Sequence, residues 1–425
     1  MTTLIVLVIT LMAIMGAPVF IVLSAFAMLG FYMTEIPLAA IIVDLYSNFS
    51  SQPLLYTIPL FTFAGYILAE SKTSIRLVNF SSAILGWLPG GLAIVALVTC
   101  AFFTAFTGAS GVTIIALGGL LYPAMIKEKY PEKFSLGLLT SSGSLGLLFP
   151  PSLPIILFGV VSEASINQLF AAGLLPGIFL IILLSLYGIF IGKRDAVVQT
   201  KFHFAEVLRT ANKAKWELFI PVIVAVGIYG GFFTLGEIAS ITVAYSIIVE
   251  VFIQKDIRIS QIPSIMKRSM ILVGGILVIL GGAYGLTNYL IDAEIPMLIL
   301  DSMRVYITSK FLFLLTLNIF LLIVGCVLDI FSAILVTVPL ILPIAESYGI
   351  NPVHLGIIFL TNLEIGYSTP PVGMNLFIAS FRFNKSVLTL YRSTIPFLVI
   401  LFIALMFITY MPQLSLWLVD YLHIK

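Results

Sequence analysis

The sequence predicts an all-α polytopic membrane protein built from two inverted structural repeats, each holding a re-entrant helical hairpin and a broken transmembrane helix. Three observations lead there. First, 60% of the 425 residues are hydrophobic and only 9% are charged, against roughly 25% charged in soluble domains. Too few charges exist to cover a water-facing surface. Second, the same punctuation occurs twice at a constant offset of 220: Pro123, Gly146, Pro150 and Pro151 match Pro343, Gly366, Pro370 and Pro371 without a gap. Third, the basic residues gather on one side of the membrane only if two long apolar stretches turn back without crossing it.

Composition also excludes several classes. Cys100 and Cys326 both lie in apolar runs, which suits small buried residues better than a structural disulfide. The net charge of +2 comes from dispersed Lys and Arg in loops, so no nucleic-acid surface is expected. The N-terminus has no basic n-region, and its apolar run, up to Phe31, is long for a signal-peptide core; a retained first span is expected.

Taken in order, nine spans are expected at 4–33, 53–69, 135–165, 168–192, 217–233, 236–253, 269–290, 353–381 and 391–412. Each approaches or exceeds the ~17–25 residues that a bilayer core demands. The stretches 91–123 and 311–343 are long but interrupted by polar or small residues, and read as the two hairpins. Repeat 1 then occupies 1–192, with scaffold spans within 4–69, its hairpin at 91–123 and its broken helix at 135–165. A cytoplasmic loop and an extra span fill 193–235. Repeat 2 occupies 236–412, with scaffold spans within 236–290, a hairpin at 311–343 and a broken helix at 353–381, followed by a tail at 413–425.

Charge tests the layout. Lys72 and Arg76; Lys127, Lys129 and Lys133; the six basic residues of 193–215; Lys255, Arg258, Lys267 and Arg268; and Arg382, Lys385 and Arg392 make 18 of the 21 Lys and Arg. With non-crossing hairpins all five groups share one side, leaving Arg304, Lys310 and Lys425 opposite. Positive loops stay cytoplasmic, so the N-terminus is expected inside and the C-terminus outside. The stretch 34–48 has no Lys or Arg and its counterpart 254–268 has four, which makes the repeats inverted. Loop 193–215 fits an interfacial amphipathic helix ending near Trp216; a plain solvated linker is the alternative.

The chemistry concentrates at the interruptions. The first hairpin turns at Phe-Thr-Gly-Ala-Ser-Gly, 106–111, where Thr107 and Ser110 add hydroxyls. Its partner helix breaks at Phe149-Pro150-Pro151-Ser152. A proline pair removes two amide donors and frees upstream carbonyls, which suit a hard, oxygen-seeking cation such as sodium. Half-helix C-termini favour the cation, and half-helix N-termini favour an anionic substrate. In the second half the corresponding residues are Gly325, Asp329 and Ser332 at the turn, and Ser368-Thr369-Pro370-Pro371-Val372-Gly373 at the break. Asp329 lies between Leu328 and Ile330; a carboxylate there costs roughly 2.5–3.5 kcal/mol or more in lipid. It therefore either handles an ion or substrate or caps a helix end. Glu364 is the second intramembrane acid, with a tie between neighbouring helices as its structural reading. Asn362 and Asn375 are candidate substrate contacts, as are Ser110, Ser152 and Asp329; Ser and Thr in membrane helices are more often packing residues. Twice-broken, duplicated membrane segments point to secondary transport.

Four motifs in this order resemble one family: Thr107-Gly-Ala-Ser-Gly111, Gly146-Leu-Leu-Phe-Pro-Pro-Ser152, Ala172-Gly-Leu-Leu-Pro-Gly177 and Gly366-Tyr-Ser-Thr-Pro-Pro-Val-Gly-Met-Asn375. They resemble the large membrane subunit of tripartite ATP-independent periplasmic (TRAP) transporters, over nearly the whole chain. The resemblance implies sodium-driven import of a small organic anion in the bacterial inner membrane, by an elevator motion of the hairpins and broken helices against a scaffold. It implies two sodium sites: Gly108 and Ser110 with Pro150 and Ser152, and Gly325 and Asp329 with Thr369 and Gly373. It also implies two partners, a small four-helix membrane subunit and a periplasmic substrate-binding protein. Because the chain starts directly at its first span, the small subunit is expected as a separate polypeptide. The whole sequence reads closest to the sialic acid branch, with no single diagnostic residue. No organic cofactor is expected, and sodium is the coupling ion.

Three other readings remain. A stand-alone sodium–dicarboxylate symporter would need no binding protein. Re-entrant loops also occur in channels, which pass ion or substrate uncoupled. Gly108-Ala-Ser-Gly111 matches the Gly-x-Ser-Gly of rhomboid intramembrane proteases, but that chemistry needs a histidine near Ser110. His203, His354 and His423 all fall in loops or at span ends, so an enzyme is not expected.

Overall fold

Apolar residues recurring four apart write the lipid-facing surface directly into the helices. Along Ile166–Arg194, Ile178, Ile182, Leu186 and Phe190 are exposed while Leu180, Leu184 and Ile191 are buried. A single helix thus presents one stripe to the bilayer and another to the protein. The computed structural model describes residues 2–52, 54–197, 201–304 and 306–424, and all regular structure among them is helical.

The first half runs α1 (Thr2–Ile14), α2 (Val19–Met33), α3 (Ala39–Ser51), α4 (Thr57–Glu70), α5 (Thr73–Leu85), α6 (Gly91–Thr107), α7 (Ser110–Lys127) and α8 (Glu132–Ser141). A 3₁₀ segment, Ser142–Leu148, follows, then α9 (Leu153–Ser162) and α10 (Ile166–Arg194). Next come α11 (Phe204–Tyr229), α12 (Leu235–Ile247) with a π-helical extension Ile248–Ile253, α13 (Ile262–Asp292) and α14 (Ile295–Arg304). The chain closes with α15 (Lys310–Val327), α16 (Ile330–Ser347), α17 (Pro352–Gly366), α18 (Met374–Phe383), α19 (Val387–Tyr410) and α20 (Gln413–Tyr421).

Shifting the first half by 220 lays α6 and α7 on α15 and α16, α8 with its 3₁₀ segment on α17, α9 on α18, and α10 on α19 plus α20. Packing follows the same rule. The last arm of each helix pair, α7 or α16, packs on the helix beyond the break of the other half, α18 or α9. Likewise α2 packs on α13 while α4 packs on α12, the same contact with partners exchanged. The halves are interlocked rather than set side by side.

Several expected boundaries are corrected. The span at 4–33 is two helices, because Gly16, at φ +86°, and Pro18 end the first. The loop expected at 34–48 is mostly α3, and 70–90 contains α5. The later part of the loop expected at 193–215 and most of the span expected at 217–233 are one helix: α11 runs from Phe204 to Tyr229 through Pro221, which removes one hydrogen bond without ending the helix. In the second half the counterparts of α3 and α4 fuse into the 31-residue α13. The tail at 413–425 is largely α20. Among the described residues, seven helices are long and apolar enough to cross a bilayer, or eight if the pair Glu132–Leu148 and Leu153–Ser162, bent by 46°, is one span. Arms α7, α15 and α16 are each 18 residues, so their length alone would also permit a crossing. Pro53, part of loop 193–215, and Lys425 lie outside the described residues.

Candidate functional site

Both interruptions expected from the sequence are present, and each meets the turn of its own helix pair. In the first, α6 ends on Gly108 at φ +63°, a left-handed conformation that favours glycine. Ala109 is extended and α7 starts at Ser110. A Cβ at Gly108 would sit 2.5 Å from the Leu153 side chain, so this turn rests on the start of α9, just past Pro150-Pro151-Ser152. In the second, Gly373 at φ +53° starts α18, and its amide donates to the Cys326 carbonyl at 3.0 Å. The second turn thus rests on the second break. The Pro150–Pro151 and Pro370–Pro371 peptide bonds are both cis.

The two sites are joined to each other. Ser110 Oγ donates to Asn375 Oδ1 at 2.7 Å, from the first turn to the helix beyond the second break. Asn375 Nδ2 reaches Ser144 Oγ at 3.5 Å, and Ser144 Oγ donates to the Glu364 carbonyl at 3.2 Å. Ser110, Ser144 and Asn375 are all buried. Burial in apolar surroundings makes each such bond costly to lose.

The segments leading into the two breaks carry buried oxygens without hydrogen-bond partners: Ser152 Oγ, Ser141 Oγ, Ser368 Oγ and both carboxyl oxygens of Glu364. Unpaired polar groups are uncommon in protein interiors. Hydroxyl, carboxyl and backbone oxygens are the donor types that suit a hard cation. Among the described residues, no three His, Cys, Asp or Glu side chains cluster as a transition-metal site would require.

Asp329 is the N-cap of α16. One carboxylate oxygen accepts from the amides of Phe331 at 3.0 Å and Ser332 at 3.1 Å, and Ser332 Oγ bonds the other. The capping reading therefore holds, in a half-buried position that leaves the carboxylate reachable. Tyr367, at the second break, accepts from the Ile330 amide through its hydroxyl. Gly325 and Gly366 cross so closely that a Cβ on Gly366 would lie 2.6 Å from the Gly325 carbonyl carbon. Thr369 turns back on its own helix, donating to the Ile365 carbonyl at 2.8 Å.

Asn362 stands apart from the Ser110–Asn375 chain. Its amide donates to Asn318 Oδ1 at 2.7 Å and to the Ile358 carbonyl at 2.9 Å. Asn318 in turn donates to Thr409 Oγ1 at 3.1 Å, tying α15, α17 and α19 together. Pro150 borders a cavity of about 290 Å³, walled by Phe102, Phe106, Phe149, Pro221 and Tyr229; this mostly apolar crevice lies beside the break.

Sequence reasoning missed Tyr367, Asn318 and the Thr104 hydroxyl, which bonds both Thr113 Oγ1 at 2.6 Å and the Gly143 carbonyl at 2.7 Å. It also missed an ion cluster away from the breaks. Arg76 on α5 meets Glu217 of α11 at 2.5 Å, Glu250 at 3.0 Å and Asp256 at 2.5 Å.

Comparison with known proteins bears on the family and the fold. The family described as "Tripartite ATP-independent periplasmic transporter, DctM component" matches residues 3–414. The C4-dicarboxylate TRAP transporter large permease protein of Pseudomonas aeruginosa is 36% identical over 369 residues, 87% of this chain and 86% of the relative. An isethionate TRAP transporter permease of Oleidesulfovibrio alaskensis is 32% identical over 96% of this chain and 64% of its own length. An ectoine/5-hydroxyectoine large permease of Ruegeria pomeroyi is 31% identical over 96% of both. Among solved structures, the YdaH transporter of Alcanivorax borkumensis superposes with a TM-score of 0.63 at 13% identity, covering 88% of each chain, a likeness of fold.

Proposed function

The chain belongs to the DctM family of TRAP transporter large membrane subunits, and from that we propose that it imports a small organic anion by sodium-coupled elevator transport. The observation that carries the proposal is the hydrogen bond from Ser110 to Asn375. It links the two turn-and-break sites into one polar centre inside an apolar protein.

Sodium is proposed at two places. One is formed by Gly108, Ser110, Pro150 and Ser152, where Ser152 Oγ is buried without a partner. The other is formed by Gly325, Asp329, Thr369 and Gly373. The chemistry supporting this is oxygen donors from hydroxyls and backbone, with one carboxylate. The anion then sits between, held by Ser110, Ser152 and Asn375, with the positive end of the α18 dipole favouring negative charge. No Lys or Arg is needed once two cations are bound beside the anion. The exchanged packing of α7 on α18 and α16 on α9 supports their moving as one block. A small four-helix membrane subunit and a periplasmic binding protein complete the system, in the bacterial inner membrane with the N-terminus cytoplasmic.

The substrate is a small organic acid. Sialic acid is the first reading, carried by no single residue, and the relatives' names favour C4-dicarboxylates as a second. The test is uptake into proteoliposomes holding this chain, its small subunit and the binding protein. Sialic acid and succinate are each offered under an inward sodium gradient. Accumulation of one, abolished when sodium is equal on both sides, is the expected result. Uptake indifferent to sodium would overturn the coupling, and uptake without the binding protein would favour a stand-alone symporter.

A further inference from the structure

A second polar centre lies on the basic face, far from the breaks in sequence. A cavity of about 360 Å³ opens between α5 and the start of α11 and is lined by Arg76, Asn79, Ser82, Lys201, Arg209 and Lys213, with His203 and Glu206 also in its wall. That volume is in the range of small-ligand sites. Its charge is uneven. The Arg76 guanidinium is committed to Glu217, Glu250 and Asp256, and Arg209 is paired with Glu206 at 2.7 Å. Among the described residues, Lys201 and Lys213 make no ion pair. Two ammonium groups therefore face the cavity with uncommitted positive charge, beside the amide of Asn79 and the hydroxyl of Ser82. That set suits a phosphate group.

The rim indicates the source of the phosphate. Phe202, next to Lys201, is exposed at 51%, and Trp87, exposed at 46%, meets it edge-on with ring centroids 6.1 Å apart. Lys215 lies 5.2 Å from the Trp216 ring centroid. Exposed aromatic residues beside unpaired lysines at the mouth of a membrane protein mark the headgroup layer. A soluble phosphate ester would not need these apolar side chains, but the acyl chains of a lipid would lie on them.

We propose that this cavity holds the phosphate headgroup of an anionic glycerophospholipid, with Lys201 and Lys213 as its principal contacts and Phe202 and Trp87 as the seat of its chains. The site would hold the end of α11 against α5, and so the link between the two halves, at a fixed depth in the membrane.

The experiment uses the complete chain, purified and placed in phosphatidylcholine nanodiscs containing a graded fraction of phosphatidylglycerol. Retained phosphatidylglycerol is counted by native mass spectrometry. Wild type is expected to hold one molecule selectively over phosphatidylcholine. The double variant Lys201→Ala/Lys213→Ala is expected to hold it about 30-fold more weakly, as the loss of two charges at a membrane surface implies. Its melting temperature in pure phosphatidylcholine discs should be unchanged, since both side chains are exposed. Undiminished retention by the double variant, or equal retention of phosphatidylcholine, would overturn the proposal. Glycerol 3-phosphate or inorganic phosphate displacing the lipid at low millimolar concentration would overturn the lipid assignment in favour of a soluble phosphate ester.

Discussion

Asp329 carries two demands at once. It caps α16 through two amides, at 3.0 and 3.1 Å, and it supplies the carboxylate of the second proposed sodium site. Asparagine is as good an N-cap as aspartate, so Asp329→Asn separates the demands. The protein should fold with a melting temperature close to wild type while sodium-driven uptake falls by tenfold or more. Unaltered uptake in proteoliposomes would remove Asp329 from the site and leave it a cap. Ser110→Ala tests the link between the halves. It strands the buried Asn375 carbonyl, which accepts from Ser110 at 2.7 Å, at a cost of about 1–3 kcal/mol. Both a lower melting temperature and slower uptake are expected; a variant indistinguishable from wild type in both would show the bond to be incidental. These residues were legible because glycine and proline mark backbone that cannot be regular helix, and an acid between Leu328 and Ile330 has no apolar explanation. Tyr367 and Asn318 were not. An aromatic or amide group in an apolar run carries no signal until its partner, Ile330 or Thr409, is known to be near.

Helix boundaries followed the same logic. The turn at Gly108 and the breaks at the proline pairs, the second ending on Gly373, were readable, since local chemistry alone decides them. The merger of 204–229 into one helix was not, because the sequence there changes from polar to apolar without a stop signal. Nor was the Arg76 cluster, whose four acidic and basic groups come from segments up to 180 residues apart. That cluster fastens α5, α11 and the π-helical end of α12. Arg76→Gln leaves Glu217, Glu250 and Asp256 without their shared cation, with Glu217 and Glu250 fully buried. A loss of about 3–5 kcal/mol is expected, as when one partner of a buried pair is removed. Thermal or denaturant unfolding in detergent would show it; a loss below 1 kcal/mol would mean that water reaches these carboxylates. The contact of α15 with α17 depends instead on close backbone approach at Gly325 and Gly366. Gly366→Ala places a methyl 2.6 Å from the Gly325 carbonyl carbon. It should cost about 1–3 kcal/mol through forced separation of the helices. Gly274→Ala, with open space around it, serves as the control and should be neutral or slightly stabilising.

Over the whole molecule, the duplicated order of helices places two oxygen-rich interruptions within one polar centre. Interlocked packing of α7 with α18 and α16 with α9 means that each half's turn and break are packed against the other half. If the twin interruptions hold coupling ions, removing the binding protein should abolish substrate uptake at ordinary concentrations while leaving sodium binding intact, which a fluorescence or calorimetric titration would read. Most direct is the density at the two breaks, with the reconstituted protein imaged once in sodium and once in choline. Expected is a compact feature, ringed by oxygens within about 2.3–2.6 Å, beside Ser152 and beside Asp329 in sodium and at neither position in choline. Identical, empty density at both positions under the two conditions would contradict sodium coupling through these segments.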